Sequence, residues 1–321
     1  MASLLVRRAV GATALGCGTY LATRSVSLAD GAEWVLPKVW KEAEIRTTHG
    51  TNKATAGAQF DKALPVGTHE IQLHSMGTPN GVKATIMLEE ICEVYPDFDY
   101  DAFRVSINGP QFSSGFVETN PNSKIPAMVD TSTSPPTRVF ESGAILMYLA
   151  EKYPRVNLLP TEPSKRAECL SWLFWAIGSP PFVGGGFGHF FRLSEKHEYA
   201  INRYAMETKR QLAVLDQNLA NRKYICGDEY TIADVAIWPW YGGFVLGRMY
   251  GAGTFLSVDE EYPHLKRWAL MLEAERPAIR RGRMVNRGTE RQEPGDSNPL
   301  YAELANLPER HGRADWAFKG K

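Results

Sequence analysis

The stretch that decides the fold reads Ser75-Met76-Gly77-Thr78-Pro79-Asn80-Gly81-Val82-Lys83. The residues that lead into it, 70–75, have the character of a strand. Those that follow, 82–92, carry apolar side chains at helical spacing between charged ones. Pro79 suits the first position of a helix because its missing N–H needs no partner there. The pattern predicts a strand, a turn at Thr78-Pro79-Asn80-Gly81, and a helix that begins within that turn.

This turn stands where a thiol enzyme with a thioredoxin-like fold carries Cys-Pro-x-Cys, yet it contains no cysteine. Thiol chemistry at this position must therefore use a thiol brought in from outside. The Thr78 hydroxyl, the Asn80 amide and the helix N-terminus can each donate to a sulfur and favour its thiolate, which is the nucleophilic form. We predict Thr78 and Asn80 as the catalytic residues. The alternative is that Thr78 serves only as a helix cap.

A second pattern comprises Asn120-Pro121-Asn122-Ser123-Lys124-Ile125-Pro126-Ala127 and, further on, Glu141-Ser142 ahead of a helix. A cis X-Pro bond marks a fixed tight turn, and a helix opening at Ser142 offers free N–H groups to a carboxylate. Together with the turn at 78–81, these segments resemble the N-terminal domain of glutathione transferases. The alternatives are an extended loop at Ile125-Pro126 and a simple cap with a solvated Glu141.

The resemblance implies a fold and a ligand. It implies a thioredoxin-like α/β domain with a cis-proline, followed by an all-α helical bundle, which is the glutathione transferase fold. Glutathione would enter as the bound thiol co-substrate, with no metal. In the family, the backbone at the Ile125-Pro126 pair receives the glutathione cysteine, and Glu141 and Ser142 receive the γ-glutamyl end.

Further peptides are similar to the Nu class of bacterial disulfide-reducing glutathione transferases, which is related to a yeast nitrogen-regulator prion protein. The similarity spans roughly 64–286. The peptides are Gln111-Phe112-Ser113-Ser114-Gly115-Phe116, Trp172-Leu173-Phe174-Trp175, Gly184-Gly185-Gly186-Phe187-Gly188-His189-Phe190 and Tyr199-Ala200-Ile201-Asn202-Arg203.

This resemblance implies additional glutathione contacts. Gln111 would lie near the glycine end, Lys124 belongs to the cis-proline peptide, and Asn52 would reach the site from an N-terminal arm. Arg203 matches an arginine that in the class reaches toward a second glutathione, and a guanidinium can bind both oxygens of a carboxylate. The alternative is an ordinary arginine on the surface of a helix. Relatives often have Gln where this chain has Ile177, so a different second thiol substrate stays open.

The glycine-rich run at 184–188 lacks the Lys-Ser/Thr ending of a phosphate loop and indicates close backbone packing beside the cleft instead. His189 has no second ligand at metal spacing and is interpreted as a cleft histidine. The aromatic side chains Phe182, Phe187 and Phe190 are predicted to line the substrate side.

Composition is that of a soluble globular protein of 321 residues, with room for two domains. Lys plus Arg and Asp plus Glu both number 36, so the charge gives no argument for nucleic acid as a partner. The four cysteines, at 17, 92, 169 and 226, are too scattered for a zinc knuckle or a Cys-x-x-Cys pair and are expected to be reduced.

The N-terminus has the composition of a transit peptide. Residues 1–29 contain Arg7, Arg8 and Arg24 but no acidic residue, and Ser, Thr and Ala are abundant. This composition favours mitochondrial import. A weak secretory segment, a short anchor, and residence in the cytoplasm or another organelle remain as alternatives.

Five segments follow from these patterns: a transit peptide (1–30), an N-terminal arm (31–68), the glutathione-binding domain (69–155), the helical domain (164–286) and a polar tail (287–321). Within the helical domain, Thr231-Ile232-Ala233-Asp234 has the form of a capping box. The first domain should run strand, helix, strand, strand, strand, helix.

The predicted function is glutathione-dependent reduction of small disulfides. The alternatives are conjugation of glutathione to electrophiles, reduction of peroxides, and a non-catalytic glutathione-binding regulator. A homodimer is expected from the resemblance alone.

Overall fold

The computed structural model describes residues 36–40 and 53–286. The predicted transit peptide, Asn52 and the polar tail lie outside the described residues. Residues 36–40 belong to a separate unit and have neither helix nor strand. In the described part of the chain, no helix combines the length and apolar character that a membrane crossing requires.

The first domain is built on a four-stranded sheet with the order β2-β1-β3-β4. Strand β1 pairs in parallel with β2 and antiparallel with β3, and β3 pairs antiparallel with β4. The elements are β1 (Ile71–Ser75), α1 (Pro79–Val94), β2 (Tyr100–Arg104), α2 (Ser114–Thr119), β3 (Ala127–Asp130), β4 (Thr137–Phe140) and α3 (Ser142–Lys152). The predicted order of strands and long helices is confirmed, and the mixed sheet is thioredoxin-like.

Helix α2 was not predicted. Ser113 caps it by accepting a hydrogen bond from the N–H of Phe116, and the chain upstream holds it in place. Ser114 N–H donates to the carbonyl of Phe60, and Gly115 N–H donates to that of Lys62.

All five residues of β1 are buried, as expected when both faces of a strand are covered.

The second domain is helical, as predicted. Its elements are α4 (Pro163–Gly178), a π-helical segment (Phe182–Gly188) that continues into α5 (His189–Arg192), α6 (Glu198–Leu219), α7 (Ile232–Ile237), a second π-helical segment (Trp238–Gly242), α8 (Gly243–Val245), α9 (Val258–Glu261), α10 (Pro263–Glu275) and α11 (Pro277–Gly282). The capping box at the start of α7 is confirmed: Thr231 Oγ1 accepts from Ala233 N–H, and Asp234 accepts from Thr231 N–H.

Helix α11 fastens the helical domain to α1. A Cβ atom on Gly282 would lie 2.6 Å from the backbone nitrogen of Ile86, so the two helices touch through backbone. Thr85 Oγ1 donates to the carbonyl of Gly282 at 2.5 Å. The Arg281 guanidinium pairs with the buried carboxylate of Glu89. The chain then reaches Asn286, whose carbonyl accepts the N–H of Gly77 at 3.1 Å, immediately before the turn at 78–81.

Candidate active site

The turn at 78–81 caps helix α1 as the sequence predicts. Thr78 has extended backbone angles, and its Oγ1 accepts a hydrogen bond from Gly81 N–H at 3.3 Å. Pro79 is the first helical residue. Because this hydrogen bond uses a lone pair on Oγ1, the hydroxyl hydrogen of Thr78 is left to donate to a ligand.

Gly81 is required at the end of this turn. A Cβ atom there would lie 2.0 Å from the carbonyl oxygen of Met76 and 2.6 Å from Oγ of Ser75. The first turn of α1 therefore sits directly against the chain that leaves β1.

Asn80 is held from the helical domain. Its Oδ1 accepts a hydrogen bond from Nε1 of Trp240 at 2.8 Å. Trp240 was not among the residues singled out from the sequence, because nothing in the local pattern of the second π-helical segment shows what its indole N–H contacts.

The sheet register brings the cis-proline turn beside the turn at 78–81. The Ile125-Pro126 bond is cis, as predicted. Strand β3 starts directly after it at Ala127, which pairs with His74 near the end of β1. The side chain of Asn120 holds the loop by donating to the carbonyl of Lys124 at 2.6 Å. The end of β1 and the start of β3 therefore meet at one edge of the sheet.

Glu141 and Ser142 reach the same edge through β4. Ala127 pairs with Phe140 of β4, so Glu141 follows directly beside the cis-proline turn. Glu141 has a positive φ of 69°, and helix α3 begins at Ser142 as predicted. The free N–H groups of the first turn of α3 thus lie at this edge and suit an anion. The Glu141 carboxylate is exposed.

The other predicted residues differ in burial and in the contacts that they make. Gln111 is buried, and its amide holds its own loop through Gly109 N–H and the carbonyl of Ile107. Lys124 is exposed. Arg203 is exposed on α6. Within residues 53–286, no hydrogen bond joins Gln111 or Arg203 to the turn at 78–81.

Ile177 and the glycine-rich run lie against the site from the helical domain. A Cβ atom on Gly143, in the first turn of α3, would lie 3.0 Å from Cγ1 of Ile177. One on Gly184 would lie 2.5 Å from the ring of Trp240, so the predicted close packing of this run is confirmed. The prediction for Phe187 is wrong: it is fully buried and packs on Phe191, because an aromatic residue in a glycine-rich run gives no sign of its direction.

A buried lysine lies one helical turn beyond Asn80. Lys83 Nζ donates to the carbonyl of Ala176 at 3.0 Å, and 1% of the residue is exposed. Burial lowers the pKa of Lys83 to about 7, although the negative charge of Glu141 opposes this shift. The described residues contain no group of three His, Cys, Asp or Glu side chains arranged to hold a metal ion.

Replacing Lys83 with methionine is expected to stabilise the fold at neutral pH by about 1 kcal/mol or more. The unfolded chain keeps its proton up to the ordinary pKa of 10.5, whereas the folded chain loses it near 7. Folding therefore releases a proton between these values, and the free energy of unfolding should rise with pH across that window. Urea denaturation at several pH values measures this slope.

In the Lys83→Met variant, the free energy of unfolding should no longer rise with pH through this group. Lys62→Met, at an exposed position, should keep the wild-type dependence on pH. An unchanged dependence in Lys83→Met would contradict the lowered pKa of Lys83.

Two segments of the chain match known domains. Residues 70–151 match the glutathione S-transferase N-terminal domain, and residues 198–269 match the glutathione S-transferase C-terminal domain. The disulfide-bond oxidoreductase YghU of Escherichia coli is 52% identical over 280 residues, which cover 86% of this chain and 92% of that protein.

This chain belongs to the glutathione S-transferase family.

Solved structures of other members of the glutathione S-transferase family share its fold. The glutathione transferase YghU of Streptococcus pneumoniae, complexed with glutathione, is 50% identical with a TM-score of 0.74; the match covers 78% of this chain and 97% of that one. A family member from Pseudomonas fluorescens with two glutathiones bound is 40% identical with a TM-score of 0.60, covering 67% and 92% respectively.

Proposed function

We propose that this protein is a glutathione-dependent disulfide oxidoreductase that reduces small disulfides with bound glutathione thiols. One observation carries the proposal: the capped N-terminus of α1 presents the Thr78 hydroxyl and the Asn80 amide, but no cysteine, at the edge where the cis-proline turn and the start of α3 converge. The relationship to the disulfide-bond oxidoreductase YghU supports the same reaction.

The chemistry is thiol–disulfide exchange. The thiolate of bound glutathione attacks one sulfur of the substrate disulfide; a mixed disulfide forms, the S–S bond of the substrate breaks, and the leaving thiolate takes up a proton. A second glutathione thiolate then attacks the glutathione sulfur of the mixed disulfide. This step releases the second substrate thiol and glutathione disulfide, so two electrons pass from two glutathiones to one substrate.

The residues of the site provide binding and anion stabilisation. Thr78 donates its hydroxyl hydrogen to the glutathione sulfur, and Asn80 donates from its amide nitrogen. Backbone at Ile125 and Pro126 receives the cysteine of glutathione. The γ-glutamyl end binds beside α3: its carboxylate meets the N–H groups at Ser142, and its ammonium pairs with Glu141.

The outer contacts are the remaining part of the proposal. By resemblance to the family, Gln111 would contact the glycine end of glutathione, and Lys124 and Asn52 would add further contacts. Arg203 takes the carboxylate of the second thiol. Ile177 packs at the first turn of α3, where a glutamine would offer a polar contact and isoleucine offers none. A second thiol other than glutathione therefore fits the proposal as well.

A homodimer is also part of the proposal. Large apolar side chains stand exposed on helices α4 and α6: Phe174 is 65% exposed, Tyr199 84% and Met206 61%. Tyr199, Arg203 and Met206 follow helical spacing and share one face of α6. A second copy of the chain that covers this face would bury the apolar groups and lie beside Arg203. Sedimentation at several concentrations tests it.

The decisive assay compares turnover of 2-hydroxyethyl disulfide, 1-chloro-2,4-dinitrobenzene and cumene hydroperoxide, each with glutathione. Disulfide reduction should dominate; dominant conjugation or peroxide reduction would make the enzyme a transferase or peroxidase. Glutathione binding without turnover of any of the three would favour a regulator.

A cysteine-free variant tests whether the sulfur comes from outside. The three described cysteines, Cys92, Cys169 and Cys226, are free thiols, and Cys92 lies near the end of α1 opposite the turn at 78–81. Replacing all four cysteines of the chain with alanine should leave disulfide turnover largely intact. Loss of turnover in a folded cysteine-free variant would show that a protein thiol is the nucleophile.

A further inference from the structure

The Asn80 side chain has two chemically different ends, and the structure fixes which end faces the helical domain. An indole N–H is a donor only, so the atom that receives it must be the amide oxygen rather than the amide nitrogen. The Trp240 Nε1 to Asn80 Oδ1 hydrogen bond, at 2.8 Å, therefore sets the rotation of the amide. Its two N–H donors point away from the indole.

Trp240 is itself held rigidly. It is 8% exposed, and it lies in the second π-helical segment, Trp238–Gly242. The ring packs on Gly184 so closely that a Cβ atom there would come within 2.5 Å. The glycine-rich run thus makes room for the indole, and the indole reaches from the helical domain to the first turn of α1.

We propose that Trp240 is a positioning residue for the sulfur chemistry: it locks the Asn80 amide so that Nδ2, and not Oδ1, faces the sulfur of bound glutathione. The inference rests on the proposed function, because it assigns Asn80 a role in stabilising that thiolate. In this proposal Trp240 acts through its hydrogen bond to Asn80 and not through contact with the sulfur.

The physical consequence concerns the thiol pKa of bound glutathione. An N–H donor beside the sulfur favours the thiolate, whereas an amide oxygen in the same place repels it. Without the indole N–H, the amide can rotate between both arrangements. The thiol pKa should then rise, and less thiolate would be present at neutral pH.

The first test is Trp240→Phe, which keeps an aromatic ring and removes the N–H. The ultraviolet absorbance of the bound thiolate, followed against pH, should show a thiol pKa higher by about one unit. Turnover of 2-hydroxyethyl disulfide at neutral pH should fall by up to about tenfold, in proportion to the lost thiolate. The KM for glutathione should change little, since the γ-glutamyl contacts are elsewhere.

Trp238→Phe is the matched control. It removes an indole N–H from the same segment, but that group donates to the carbonyl of Ala269 rather than to Asn80. The control should lose some stability and keep the thiol pKa of wild-type protein. Equal thiol pKa shifts in both variants would overturn the inference, because they would point to general loosening of the segment.

Asn80→Ala, alone and combined with Trp240→Phe, completes a double-mutant cycle. If Trp240 acts through Asn80, the double variant should be no slower than Asn80→Ala alone. If the rate losses of the two single variants multiply in the double variant, the two residues act independently, and the inference is overturned. Asn80→Asp keeps the acceptor for Trp240 but places a carboxylate beside the sulfur. This variant should therefore raise the thiol pKa more than Asn80→Ala does. An Asn80→Asp protein with the wild-type thiol pKa would also overturn the inference.

The outcomes separate this inference from the proposed function. If wild-type protein binds glutathione but reduces no disulfide, the proposed function fails, and the thiol pKa values alone decide the role of Trp240. If wild-type protein binds no glutathione, both fail together.

Discussion

Replacing Gly81 with alanine is expected to lower the free energy of unfolding by about 3 kcal/mol or more and to abolish glutathione binding. The added Cβ would fall 2.0 Å from the carbonyl oxygen of Met76. That oxygen already accepts the N–H of Thr78 at 2.7 Å, so moving it breaks the turn that carries the thiol site. No flexible side-chain end is available to yield, because the obstacle is backbone.

Gly178→Ala is the control for this substitution. Gly178 is the last residue of α4, and a Cβ atom there meets no atom within 4 Å. The free energy of unfolding of Gly178→Ala should stay close to the wild-type value when both variants are titrated with urea. A Gly81→Ala protein with wild-type stability and glutathione affinity would show that the backbone between Met76 and Gly81 is far more adaptable than its packing indicates.

Replacing Thr78 with valine is expected to lower turnover of a small disulfide by about 100-fold or more, as for loss of one donor to a developing anion. Valine keeps the shape of threonine and removes the hydroxyl. That hydroxyl accepts from Gly81 N–H and, in the proposed mechanism, donates to the glutathione sulfur. The same variant should lose about 1 kcal/mol of stability through the missing cap.

Two further variants separate the roles of Thr78. Thr78→Ser keeps both hydrogen bonds and should restore most of the activity. Ser113→Ala removes a comparable cap from α2, where Ser113 accepts from Phe116 N–H, and should cost stability without a large loss of turnover. If Thr78→Val reduces disulfides at the wild-type rate, Thr78 is a structural cap and nothing more.

Several features that could be predicted from sequence have a local physical cause. Pro79 at the start of α1, the helix that opens at Ser142 and the capping box at Thr231 each follow from a few adjacent residues. The cis bond before Pro126 is implied by the resemblance to glutathione transferases, because the residues alone also allow an extended loop. Pro79, Pro126 and Ser142 define the edge at which the candidate site forms.

The features that could not be predicted depend on distant parts of the chain. Trp240 and Asn80 are 160 positions apart, and no pattern around either residue indicates the other. The sequence pattern predicts that Lys83 is an exposed polar residue of an amphipathic helix. In the structure, the packing of α4 buries it against the carbonyl of Ala176. Helix α2 is short and depends on chain upstream of the domain, which the local apolar spacing does not reveal.

The hydrogen bond from Gly77 to Asn286 sets an order of events during synthesis. A nascent chain that has left the ribosome as far as Phe140 contains every strand of the sheet, but the carbonyl that accepts the N–H of Gly77 has not yet been made. The loop that leads into the thiol-binding turn can therefore be completed only after the helical domain has emerged and folded back. Until then, the N–H of Gly77 lacks the carbonyl that accepts it in the finished structure.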